Sequence, residues 1–301
     1  VFGSGRLAGS GKNIDIWCPF CAPSDKSKKK LSIRLEDDAN HCWTCDHRAR
    51  SLAPLIRKFG SQHQLIEYRD KFMPEYAKTN FRLDADPNIK KIELPSDFTL
   101  LTLVNRSDPD VKACVRYLEA RGITEHDMWY YKIGVSDEPR WRRRIIIPSF
   151  SVLGELNYFV GRAIDKQRKP KYDNPDLDKT QIIFNEINVD WSKQLVLCEG
   201  TFDYVKCGDN AIPLLGSSLN EQSTLFNFII ANGTPTAIAL DADMRLKRVP
   251  AIAKKLAEYN VDVSIVDVRP FNDPGEMTKE QFHKALINAH KFSWDDVFAS
   301  K

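Results

Sequence analysis

No stretch of the chain approaches the roughly 18 to 20 consecutive apolar residues that a membrane-spanning helix needs. The longest apolar candidates, such as Arg144–Phe150, are strand-length, so no membrane partner is expected. A secretory signal is missing too. Val1 and Phe2 lead into Gly- and Ser-rich residues up to Gly11, with no apolar core flanked by bases and no cleavage site. There is no initiator Met, as in a trimmed chain. Internal repeats are absent, and 42% hydrophobic with 28% charged residues excludes a largely disordered or collagen-like polypeptide. A helicase-type phosphate loop is also lacking: around Gly9-Ser10-Gly11-Lys12 the first glycine position falls on Arg6, and Asn13 stands where Ser or Thr is required. Gly3-Ser4-Gly5-Arg6-Leu7-Ala8 has no strand before it and is no dinucleotide fingerprint.

What remains is a soluble chain of 301 residues, enough for two domains at roughly 150 residues each. Its seven cysteines are an odd number, and four of them form two tight pairs, which points to a reducing, cytoplasmic compartment and a metal site. Cys114, Cys198 and Cys207 lie in apolar or helical surroundings and are read as small buried hydrophobes.

The formal charge of +3 conceals a polarity. Residues 1–60 carry 11 Lys/Arg against 6 Asp/Glu, and residues 140–172 carry 9 against 2. Between 199 and 276 the sign reverses, with 11 Asp/Glu against 7 Lys/Arg. Bases that hold phosphates beside acids that hold cations are what metal-dependent chemistry on nucleic acid requires. Either run alone would pass as a solvated face.

The chain divides into a module at 1–60, a polar linker at 61–94 with a helix from Gln64 to Phe72, a basic α+β subdomain at 95–191, an α/β subdomain at 192–276 and a helical polar tail at 277–301. In the fourth segment, apolar runs at 194–198, 211–215, 236–240 and 262–266 alternate with helical periods at 202–207, 221–230 and 250–259. That alternation predicts a small parallel sheet covered on both faces, with any ligand at the carboxyl ends of its strands.

Cys18-Pro19-Phe20-Cys21 and Cys42-Trp43-Thr44-Cys45 are separated by 20 residues. Two such knuckles place four thiolates around one structural Zn²⁺ and leave no open coordination position. His41 and His47 are alternative ligands by position; four Cys are preferred because the knuckles then match. Lys28, Lys29 and Lys30 between the knuckles, with Trp43 beside the metal, pair bases for phosphates with an aromatic face for nucleobases. Trp17 and Phe20 are equally suited to a miniature ribbon core.

Glu199 follows the first apolar run directly, with Asp203 one helical turn later. Asp241 and Asp243 follow the third run, and Asp273 follows the fourth. All are expected at one sheet edge, where hard carboxylate oxygens suit Mg²⁺ or Mn²⁺.

The set Glu199-Gly200-x-x-Asp203, Asp241-x-Asp243 and Asp273 resembles the acidic signature of the Toprim fold of bacterial-type primases, topoisomerases and some nucleases. Ahead of it, Arg144 to Pro148, Gly161-Arg162 and Lys169-Pro170-Lys171-Tyr172-x-Asn174-Pro175 are similar to the basic motifs of bacterial and bacteriophage primases. With the ribbon, the resemblance covers about residues 14–275, and length and ribbon look most like T-even-type phage primases. It implies an α/β plus α+β architecture, a zinc ribbon followed by a Toprim-containing RNA polymerase core. It further implies DNA-dependent RNA primase activity, a nucleotidyl transfer on single-stranded DNA. Glu199, Asp241 and Asp243 would hold two Mg²⁺ or Mn²⁺, and Asp203 and Asp273 would support them. Arg144, Arg162, Lys169 and Lys171 would grip ribonucleoside triphosphate and template. A ring-shaped hexameric replicative helicase is the implied partner, and a bacterial host's cytoplasm the implied location if the chain is phage-encoded. The pattern departs at Phe184-Asn185-Glu186, where bacterial primases carry a nucleotide-binding Lys.

Two rivals remain. One is a Toprim nuclease or topoisomerase, the latter needing a nucleophilic Tyr on a further large domain for which no length is expected after residue 301. The other is a non-catalytic zinc-ribbon adaptor, against which the intact acids argue.

Overall fold

The computed structural model describes residues 3–21, 29–72, 92–216, 218–244 and 248–298. The chain forms two compact units, one drawn from residues 1–89, 220–234 and 255–262, the other from 90–219, 235–254 and 263–301. Segment 192–276 is thus shared between both, whereas the sequence reading kept it in one piece.

In the first unit, β1 (Arg6–Leu7), β2 (Asn13–Ile16), β3 (Leu31–Arg34), β4 (Asn40–Cys42) and β5 (Arg48–Ala49) make an antiparallel sheet in that order. Alternation fixes its register, because Ile14 faces Ile33 and Ile16 faces Leu31. Ile16, Leu31 and Ile33 are buried with Cys18, Cys42 and Leu55. Leu55 comes from the helix Ala53–Phe59, which has a proline in its first turn. That helix is anchored by Asn260 Nδ2 donating to Arg57 O at 2.7 Å and by a Lys58–Glu258 ion pair at 3.2 Å. The start of the expected linker is helical. Ser61 and Gln64 form a capping box for Gln62–Glu67, and a single π turn continues through Tyr68–Phe72.

The second unit holds two five-stranded sheets. The first is antiparallel, in the order β10 (Tyr172–Asp173), β9 (Leu156–Ala163), β8 (Arg144–Phe150), β7 (Gly134–Val135), β6 (Thr99–Leu100). The second runs β12 (Ala211–Pro213), β11 (Leu195–Cys198), β13 (Thr236–Ala239), β14 (Val263–Ile265), β15 (His290–Lys291). The four expected strands are parallel and buried, and β15 adds an antiparallel edge. The tail is therefore only partly helical: after Lys279–Ile287 it turns back as β15. Two residues of strand leave no periodic trace, and pairing with β14 fixes their conformation.

Candidate active site and thiol cluster

Cys42 ends β4 and Cys18 lies two residues beyond β2, which brings the two knuckles together. Sγ of Cys18 lies 3.7 Å from that of Cys45, and Sγ of Cys21 lies 3.8 Å from that of Cys42. All four sulfurs fall within 4.8 Å of one another. A tetrahedron with bonds of about 2.3 Å spaces its sulfurs by about 3.8 Å, so these thiols fit one zinc. Thr44 N donates to Cys42 Sγ at 3.4 Å. Burial pushes the Cys42 thiol up, but the amides of Cys45 and Thr44 together with the Cys18 and Cys45 thiols bring it down to about 7, whereas burial raises Cys18 and, to about 11, Cys21. Neither histidine joins the cluster: His41 Nε2 lies 2.8 Å from Asp46 Oδ1, and the His47 ring stacks on Phe20 at 3.9 Å. Phe20 packs against the ribbon core, while Trp43 is 73% exposed. Lys29 and Lys30 are half-buried; Lys28 lies outside the described residues.

The acidic residues are positioned by the parallel sheet. β11 and β13 pair with Cys198 opposite Ala239, so Glu199 and Asp241 emerge at the same edge. Asp203, on the helix Thr201–Cys207, accepts from Gly200 N at 2.9 Å and from Gly275 N at 3.1 Å. It thereby ties that helix to the turn Pro274–Glu276, which Asp273 caps by accepting from Glu276 N at 2.9 Å. Gly275 permits this approach: a Cβ there would sit 2.8 Å from Asp203 Oδ1 and 3.0 Å from Asp273 Oδ1.

Glu199, Asp203, Asp241 and Asp273 line one cleft of about 870 Å³. Burial, then the charge of Asp273, raises Asp203 to about 7; burial, then Glu199, raises Asp241 to about 6. Burial likewise raises Glu199, with Asp243 and Asp273 adding to it and Arg248 opposing. Asp243 is exposed and does not line the cleft, although its charge is felt there. Glu199 Oε2 and Asp241 Oδ1 are buried without a hydrogen-bond partner among the described residues. Orphaned oxygens among mutually repelling carboxylates fit a hard divalent cation. Among the described residues, only the thiols bring three or more ligand atoms within 4.8 Å, so the acids are clustered more loosely.

The bases separate into two groups. Arg140 pairs with Asp173, Arg142 with Asp110, and Arg143 with both Asp110 and Asp165. Arg144, expected to grip phosphate, is 2% exposed and donates to the carbonyls of Arg140 and Gly161 at 3.2 and 3.3 Å. It braces β8 and does not line the cleft, because the inward face of that strand takes its side chain. Lys169 is exposed and also outside the lining. Arg162 and Lys171 do line it. Arg162 lies 4.7 Å over the Tyr172 ring and 5.6 Å from that of Phe202, donates to Tyr172 OH at 2.6 Å, and keeps a buried Nε without a partner among the described residues. The charge of Arg162, before burial, pushes Lys171 down, and Arg121 adds to it.

Arg121, Tyr172, Lys179 and Lys206 also line the cleft and were missed from sequence. Arg121 ends a helical period just before Gly122, but nothing in that pattern says which way it faces. Where the bacterial nucleotide-binding Lys was missing, Asn185 is buried in a left-handed conformation, φ 48°. Its Oδ1 accepts from Phe150 N at 3.0 Å and its Nδ2 donates to Tyr204 OH at 3.2 Å, a bracing role.

No protein-family profile matches the chain. It is 22% identical over 276 residues to a DNA primase of Listeria innocua, covering 72% of this chain and 43% of that protein. With a DNA primase of Listeria monocytogenes it shares 21% over 353 aligned positions, covering 96% of this chain and 55% of the other. The chain thus spans about half the length of the curated relatives it matches. Its fold is that of the zinc-binding and RNA polymerase domains of the Aquifex aeolicus primase, with TM-score 0.50 and 18% identity over 96% of this chain and 81% of that one. Among the described residues, no helix is long and apolar enough to cross a membrane.

Proposed function

We propose that this chain is a DNA-dependent RNA primase, joining ribonucleoside triphosphates into a short primer on a single-stranded DNA template. The observation that carries the reading is one cleft with two halves. Carboxylates with orphaned oxygens meet two bases, Arg162 and Lys171, that have no carboxylate partner among the described residues and lie over the Tyr172 ring. An unpaired base held rigid beside unpaired acids leaves room for a polyanion and a cation together. The primase relatives and the shared fold support the same reading.

Glu199 and Asp241, with Asp243 near them, would hold magnesium or manganese. When bound, the metal neutralises phosphate charge and polarises the reacting oxygens. Asp203 and Asp273 tie the Thr201–Cys207 helix to the Pro274–Glu276 turn beside the edge that Glu199 and Asp241 share. Arg162 and Lys171 hold the triphosphate, Arg162 through the fork that its ring contacts orient. In the ribbon, the zinc fixes the knuckle that presents Trp43, and Lys29 and Lys30 follow the template backbone.

The test is incubation of the protein with Mg²⁺ and labelled ribonucleoside triphosphates on single-stranded DNA. Short RNA products with intact DNA are expected, lost in Asp241→Ala while template binding stays. Cleaved DNA without RNA would instead establish the nuclease reading, and neither product would leave the adaptor.

A further inference from the structure

Lys206 lines the cleft but has no part in the reaction as proposed. Its side chain is 4% exposed, three residues beyond Asp203 on the helix Thr201–Cys207. Burying an ammonium group is costly unless its donors are satisfied. The charges of Asp127 and Glu280 reach Lys206 and favour it, and that of Lys279 opposes. Asp127 is already engaged, since it caps Thr124 and pairs with Lys279. Lys206 makes no ion pair among the described residues. Its Nζ instead donates to Gly122 O at 2.9 Å, joining segments 84 residues apart in sequence.

Gly122 is suited to receive it. Its φ of 63° lies in the left-handed region, and a Cβ there would sit 2.9 Å from Lys206 Nζ. The turn it closes carries Arg121, whose guanidinium lies 3.7 Å over the Tyr117 ring and 5.9 Å from the Phe202 ring. Phe202, Asp203 and Lys206 share one helix. One charged hydrogen bond therefore ties the segment bearing Arg121 to the helix bearing Asp203, beside the cleft that both line.

We propose that Lys206 is a positioning residue that acts through Gly122 to hold Arg121 where it meets the phosphate chain of the bound nucleotide. This rests on the reading of the cleft as a nucleotide site. Loss of the Nζ donor frees the Arg121–Gly122 turn, and the guanidinium then pays ordering entropy each time an anion binds.

A double-mutant cycle read by titration calorimetry with metal-free tripolyphosphate tests it on the full chain. Lys206→Met should weaken binding about tenfold, the factor set by losing one charged hydrogen bond. Lys206→Arg, which keeps a long donor, should restore most of it. Arg121→Ala should weaken binding as well, and adding Lys206→Met to it should change the affinity by less than about twofold. Wild-type affinity in Lys206→Met, or losses that multiply in the double variant, would overturn the proposal. If Lys206→Met folds poorly, Lys206→Gln serves in the same cycle. Primer synthesis distinguishes the two failures. A wild type that makes no primer while the cycle holds defeats the primase reading alone. A cycle that fails while primers form defeats the latch alone.

Discussion

Glu199 and Asp241 follow neighbouring parallel strands, and each buries one carboxylate oxygen, Oε2 and Oδ1, that nothing among the described residues satisfies. Such a pair is unfavourable without a cation, since burial and mutual repulsion both raise the cost of ionising it. Removing one charge should relieve that cost and abolish cation binding together. Asp241→Asn is expected to raise the metal-free melting temperature by about 2–4 °C near pH 8, as roughly 1 kcal/mol does in a domain of this size. It should also eliminate any further rise on adding Mn²⁺. Differential scanning calorimetry with and without Mn²⁺ reads both effects.

The same carboxylates set a pH dependence. Folding raises Asp203 to about 7 and Asp241 to about 6, above the ordinary carboxylate value of 3.8. The folded state therefore binds protons that the unfolded chain has already released. The stability they contribute is present below about pH 4 and is lost as the pH rises through about 6 to 7. Metal-free protein should thus melt at falling temperatures across that window, and Mn²⁺ should flatten the slope. Melting curves that rise monotonically from acid to neutral pH in Asp241→Asn and wild type alike would contradict this.

Three arginines close together in sequence should behave in three ways. Arg162→Ala is expected to raise KM for ribonucleoside triphosphate by roughly 10- to 100-fold with little change in melting. Arg144→Ala removes a buried brace and should cost about 2–4 kcal/mol of stability, measured by denaturant unfolding. Arg142 is 61% exposed and paired with Asp110, so Arg142→Ala should move stability by less than about 1 kcal/mol and leave KM unchanged.

These arginines mark where sequence reading succeeds and where it stops. The parallel strands β11 to β14 were legible because each is a short apolar run buried on both faces. The acids were legible because their places at the strand ends follow from chain order alone. Arg144 and Arg162 were indistinguishable by composition. Strand parity buries one and turns the other toward Tyr172, and which face meets the core depends on pairing with distant strands. Arg121 and Lys206 lie 85 positions apart and meet only through the fold. The ribbon knuckles were legible because the spacing of their thiols within each pair already brings the sulfurs to one point.

That geometry has a thermodynamic consequence. Two of the six buried residues in the ribbon core are the ligands Cys18 and Cys42, so the apolar core by itself is small. Zinc should therefore supply much of the ribbon's folding free energy. Treatment with a strong chelator is expected to release one zinc per chain and to abolish the dispersed amide signals of β1 to β5 in an NMR spectrum. Cys42→Ser should act as chelation does. Retention of those signals without metal would show that the ribbon folds on its own.

Trp43 stands beside this site with 73% of its surface exposed, on the knuckle whose thiols Cys42 and Cys45 join the cluster. Its ring meets His41 edge-on at 4.3 Å, and stacking of the exposed face on a nucleobase is the expected use of it. Its fluorescence should be quenched when single-stranded DNA is added, and Trp43→Ala should weaken template binding by about 1–3 kcal/mol. Lys30→Ala should weaken binding differently, by lowering the slope of log K against log salt by about 0.7 while leaving the quenching intact. The two variants divide template affinity into a stacking part that ignores salt and an electrostatic part that follows it. Equal salt slopes in wild type and Lys30→Ala would remove the lysine from the template path, and unquenched Trp43 at saturating DNA would do the same for the ring.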